Sequence, residues 1–99
     1  MTDELALQRA VNRAQQARDL LESELLKESF KGLEDAYTAA WRATTIEDVT
    51  GREKLFLAVN VIGKVRDHLS GIVSNGSVAE AEIKDLRETA ERKKRFGLL

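Results

Sequence analysis

The chain has 99 residues, 42% of them hydrophobic and 33% charged, with a formal net charge of -1, no cysteine and no proline. That composition bounds it to one domain at most, excludes disulfide frameworks and thiolate chemistry, and disfavours a β-sandwich, whose turns use proline. No apolar run approaches the ~20 residues that span a bilayer, and the acidic start, Asp3-Glu4, is the opposite of a secretory leader. A cytoplasmic protein is the expectation.

Residues 3–25 are polar, with a helical stripe of Leu7, Val11, Ala14, Leu21 and Leu25 at spacings of 4, 3, 7 and 4. From Leu26 the stripe resumes one position later, as Leu26, Phe30, Leu33, Tyr37 and Ala40. The slip implies a stutter, bend or break around residues 27–29. One continuous helix over 3–43 is expected, with a local irregularity there. At ~1.5 Å per residue it would be about 60 Å long, so its first half needs another surface to cover it. Trp41 widens the apolar face, and Arg42 suits the negative end of the helix dipole.

The stretch Thr44-Thr45-Ile46-Glu47-Asp48-Val49-Thr50-Gly51 reads as the turn of an αα-hairpin. A second helix starts within it, capped by Asp48 or by the capping box of Thr50 and Glu53. Leu55, Phe56, Val59, Ile62, Val65, Leu69 and Val73 give it a broad apolar stripe over 49–74. Gly63 and Gly71, two turns apart, mark either a close helix approach or tolerated glycines. Asn75-Gly76 is read as the stop, since glycine accepts the left-handed conformation at a helix end. Ser77 with Glu80 then starts a short third helix over 78–95, with a thin stripe of Ala79, Ile83, Leu86 and Ala90. An apolar tail, Phe96-Gly97-Leu98-Leu99, follows.

The predicted fold is therefore all-α and one domain over 1–99: a long helix, an antiparallel partner and a short C-terminal helix. The faces expected to form core or oligomer contacts carry Leu7, Val11, Leu21, Leu26, Phe30, Leu33, Tyr37, Trp41, Leu55, Val59, Ile62, Leu69 and Val73. The stripe over 7–25 is left for the third helix or for a second subunit. A homo-oligomer that completes a bundle is expected.

Chemistry is sparse. Asp67, His68 and Ser70 have the residue types of a hydrolytic triad, but positions i, i+1 and i+3 of a helix diverge, and no oxyanion-hole motif accompanies them. His68 is the only histidine and builds no zinc site alone. Glu22, Glu24, Glu28, Glu34 and Asp35 lack the Glu-x-x-His motifs of a di-metal bundle and read as a solvated face with i,i+4 partners. No glycine-rich phosphate loop is present. The expectation is no enzyme, no metal and no cofactor.

Charge is uneven. Residues 1–50 hold ten acids and six bases, residues 51–99 seven acids and ten bases. The C-terminal excess sits in Arg87, Arg92, Lys93, Lys94 and Arg95. Three readings stay open: complement to a helix dipole, phosphate contact with duplex DNA, or docking on an acidic partner. No aromatics are interleaved for base stacking. Phe96, Leu98 and Leu99 either fold back on the core or dock into a partner.

The turn signature Ala40-Trp41-Arg42-Ala43-Thr44, followed by Arg52-Glu53-Lys54-Leu55, then His68-Leu69 and Asn75-Gly76, resembles small helical proteins encoded in tailed phages and prophages, over about residues 20–95. The resemblance implies a virion-assembly or DNA-packaging setting, in the host cytoplasm or with the virion. It carries no functional residues with it. Two functions are expected from this reading: an oligomeric assembly or packaging factor, at its sharpest like a small terminase subunit, or a protein–protein adaptor or structural virion component that never touches nucleic acid.

Overall fold

The computed structural model describes residues 3–95 and residue 97. Within them the fold is all-helical: α1 (Glu4–Glu22), α2 (Glu24–Arg42) and α3 (Val49–Arg95). The expected tail contacts of Phe96, Leu98 and Leu99 lie outside the described residues.

The long first helix is in fact two. Ser23 sits in extended backbone (φ -63°, ψ 121°), and its side chain accepts a hydrogen bond from the Leu26 N–H. An extended residue whose hydroxyl satisfies an orphan amide is an N-cap. The stripe's phase slip marked a real break, but the break lies at the capping serine, not at residues 27–29.

Two further expectations fail together. The helices predicted over 49–74 and 78–95 are one 47-residue helix, and Asn75-Gly76 does not end it. The reason is packing. Gly76 is buried, and a Cβ built on it would collide with the Ala14 Cβ and lie 3.1 Å from the Ala10 carbonyl oxygen. This glycine keeps helical backbone because only a hydrogen fits beneath α1. Ser77 caps nothing; its hydroxyl donates to the Val73 carbonyl. Of the two readings of Gly63 and Gly71, close approach or tolerated glycine, the second fits, since a Cβ at either would meet nothing within 4 Å.

The chain divides into two compact units. The terminal unit joins residues up to Arg18 with those from Ser70 onward. Its α1 segment runs antiparallel to the end of α3, with Ala14 against Gly76 and the Glu4 carboxylate 3.7 Å from Arg87. Ala14, Ala17, Gly76, Ala79 and Ile83 are buried there. Small residues let two helices approach until backbone nearly touches backbone, which dispersion rewards at every contact. Of the stripe over 7–25, Ala14 is thus buried within the chain and Leu7 and Val11 are half-buried, while Leu25 stays 74% exposed.

The hairpin unit, Asp19–Leu69, packs α2 against the first part of α3. Asp48 is the α3 cap, its Oδ1 accepting from the Gly51 N–H at 3.0 Å, so Thr50 lies inside the helix. Ile62 is the one buried hydrophobic residue of this unit among the described residues. Leu26, Phe30, Tyr37, Trp41, Leu55, Val59 and Leu69 are half-buried along the same unit. Leu33, expected in the same face, is exposed instead.

Candidate functional site

Three surfaces carry the residues that sequence singled out. The first is the closed edge of the hairpin unit. The Arg66 guanidinium lies 2.6 Å from the Glu34 carboxylate and 5.1 Å from the Phe30 ring centroid. Eight residues beyond the turn's start, Arg52 donates to the Thr44 hydroxyl at 2.9 Å and stacks 4.5 Å from the Trp41 ring centroid. Thr44 in turn donates to the Trp41 carbonyl at 2.6 Å. Trp41 therefore closes the turn end with its ring face, as a platform for a cation. Both arginines tie α2 to α3 across half-exposed ground. The spacing that could have disclosed them is Arg52–Arg66, fourteen apart, or four turns on one helix line.

The second surface is the end of α3. Arg92, Lys93, Lys94 and Arg95 are all exposed. Four consecutive helical residues point around most of a circle at 100° each, so they do not form one basic face. Glu88 and Glu91 stand one turn before Arg92 and Arg95 and share a groove with them. Arg92 also reaches the Thr89 hydroxyl at 3.4 Å. Arg87 is drawn aside toward Glu4. The structure therefore does not gather the five predicted contact residues into a single patch.

The third surface is a groove of about 590 Å³ in the terminal unit, floored by Val11 and Ile83 and rimmed by Glu80, Lys84, Arg87, Glu88 and Glu91. Its rim mixes three acids with two bases. Asp67, His68 and Ser70 are each exposed along α3. Among the described residues no group of three or more His, Asp or Glu side chains could hold a metal ion. Among the described residues no helix is long and apolar enough to cross a membrane.

The acidic residues of α2 pair locally, as surface helices do. Lys31 meets Asp35 at 2.9 Å and Lys27 meets Glu24 at 3.6 Å. The hydrogen bond that Lys31 donates to the Asp35 carboxylate, aided by that carboxylate's charge, raises the Lys31 pKa above the ordinary 10.5.

What sequence reasoning missed is apolar. Leu57 and Val61 belong to none of the expected faces, yet both are exposed, as is Val65 beside them. Their spacing of four and four was the available signal for a second stripe on α3. In the comparisons with known proteins, no family model, no curated protein and no solved structure matches this chain.

Proposed function

We propose that this chain is a non-enzymatic assembly module that works by docking helical surfaces onto protein. One observation carries the reading. Among the described residues the buried hydrophobic core is Ala14, Ala17, Ile62, Ala79 and Ile83, while twelve large hydrophobic side chains stand exposed. Scattered exposed leucines are ordinary, but so many against so small a core describe surface held for a partner. The setting rests on the resemblance of the Trp41 turn region to phage and prophage helical proteins. That resemblance supports a role in virion assembly, in the host cytoplasm or on the particle.

A second reading, DNA packaging, is favoured by the basic run at the end of α3. It is the weaker one, because cations spread around a helix and interleaved with Glu88 and Glu91 neutralise few phosphates at once.

The test is elution of the purified chain on a sizing column with light scattering, with and without duplex DNA, alongside binding of an apolar dye. The assembly reading expects dye binding or self-association, and a mass indifferent to DNA. Co-elution with duplex at low salt, lost when Arg92, Lys93, Lys94 and Arg95 are changed to alanine, would install the packaging reading instead. A monomer that binds neither dye nor DNA would overturn both.

A further inference from the structure

Two rows of side chains are unused by the hairpin unit's own packing. On α2 they are Leu33, Ala36 and Ala40; on α3 they are Leu57, Val61 and Val65. All six are exposed, the four large ones by 47%, 56%, 56% and 46% in chain order. At 100° per residue, each row is turned about a fifth to a third of a circle from the inward face of its own helix. The sense of turn is the same on both helices, viewed from each N-terminus. In an antiparallel pair of right-handed helices, rows turned the same way lie on the same side of the hairpin. The opposite side supplies a check: Glu34, Trp41, Arg52 and Arg66 are all turned the other way, and they do meet. The hairpin thus has one edge closed by arginines and one flank that is apolar on both helices.

We infer that this flank is a self-association face, and that its occupant is the same flank of a second copy, related by a two-fold axis running along the helices. This inference rests on the assembly reading and deepens it by naming the face and the partner. That axis lays α2 of each copy antiparallel over α3 of the other, so every helix of the resulting four-helix bundle has antiparallel neighbours. With Arg66 beside Glu34 and Arg52 beside Trp41, Val61 stands level with Ala36. The small Ala36 and Ala40 of one copy then receive Val61 and Leu57 of the other, and Leu33 meets Val65. Large residues lie over small, as close packing requires.

Charge agrees. Glu28 and Lys64 flank the rows on their outer rims, and neither has an ion pair among the described residues. With Val61 level with Ala36, the two-fold axis sets Glu28 of each copy about 7.5 Å along the axis from the other copy's Lys64, on the same outer rim. Area agrees too. The six residues expose on the order of 400 Å² of apolar surface per copy, a patch of the size that marks interaction sites. Two such patches with an ordinary polar rim bury roughly 1,200 Å², the lower bound of a specific interface.

Sedimentation velocity of the full chain over a hundredfold concentration range tests this. The wild type should form a species of twice the 11.1 kDa chain mass, or a higher even multiple. Val61→Asp, exposed in the single chain, should keep its helical circular dichroism and shift the dimer Kd up by a hundredfold or more, which leaves monomer. Asn60→Asp, on the arginine side, should change nothing. Glu28→Lys should weaken the dimer about tenfold, and Glu28→Lys with Lys64→Glu should restore it; this pair decides the matter if Val61→Asp loses helicity. A wild-type monomer, an odd-numbered oligomer, or a dimer indifferent to both Val61→Asp and Glu28→Lys overturns the proposal. A monomer that still binds apolar dye leaves the assembly reading standing, with a partner of different sequence. A monomer that binds neither dye nor DNA removes both.

Discussion

The terminal unit and the hairpin unit solve the same problem, holding two antiparallel helices together, by opposite means. The terminal unit uses mostly small side chains: alanines and one glycine, with Ile83 buried beside them, bring α1 and the end of α3 so close that Ala14 and Ala17 retain only 2% and 3% of their exposure. The hairpin unit uses large side chains and two arginines that bridge the helices while staying half in water. Close approach yields a fully buried but narrow seam. Bridging yields a wide contact in which Ile62 alone is buried among hydrophobic residues. The lesson is that burial tracks how near the backbones come, and side-chain size matters less.

The contrast can be broken by changing each seam. The largest expected effect is Ile83→Ala in the terminal unit, about 2–4 kcal/mol for a buried isoleucine in a seam too rigid to collapse. Ile62→Ala should cost less, since half-exposed neighbours can relax into the space; thermal melts of the two variants give the difference. Next is Gly76→Ala. The overlap with Ala14 costs roughly 1–3 kcal/mol, partly offset by about 1 kcal/mol of helix propensity, so a net loss of about 1–2 kcal/mol is expected in urea unfolding. Gly63→Ala, with open space around it, should instead stabilise by about 0.5–1 kcal/mol. An equal response at both glycines would erase the distinction.

Smaller still is Arg66→Ala, about 1 kcal/mol, from a part-exposed ion pair and its ring contact; its loss should be reduced at high salt. The smallest is Lys31→Met. The Lys31–Asp35 pair holds the lysine pKa above its unfolded value, so its contribution is complete below that value and lost as pH rises through the folded one. Because the ammonium is fully exposed, the variant should show no shift in melting midpoint at neutral pH.

Much of the fold was legible. The 3–4 spacing over 26–41 and 55–73 marked both stretches as helical, though Leu33, Phe56 and Val65 of those stripes stand exposed, and of the two caps offered within Thr44 to Gly51 Asp48 is the one used. The breaks were not legible, for identifiable reasons. Ser23 is followed at the third helical position by Leu26 where a capping box would have glutamate or glutamine, so its cap left a faint signature. Asn75-Gly76 carried the strongest stop signal in the chain, and packing overrode it, because Gly76 meets α1, a neighbour sixty residues distant in sequence. Leu33 was misplaced for a similar reason: the stripe of α2 is wider than its contact with α3, and periodicity does not say where contact ends. Of the proposed surfaces, the basic run was visible as composition only. Its dispersal around the helix follows from counting at 100° per residue, which sequence permits but a charge tally hides.

The continuity of α3 through Asn75 and Gly76 also governs how this protein ages. Asn-Gly is the dipeptide most ready to deamidate, because the glycine amide nitrogen can attack the asparagine side-chain carbonyl and close a five-membered imide. That closure needs backbone angles that a helix forbids, and it needs a free amide. Here the helix holds the backbone, and the seam against Ala14 holds the helix. Asn75, exposed to solvent, is therefore protected by geometry, and its chemical half-life counts the openings of the terminal unit. Deamidation measured by mass spectrometry over weeks of storage would then serve as a slow clock for local unfolding, and Gly76→Ala should both slow the chemistry at the residue and loosen the structure that guards it.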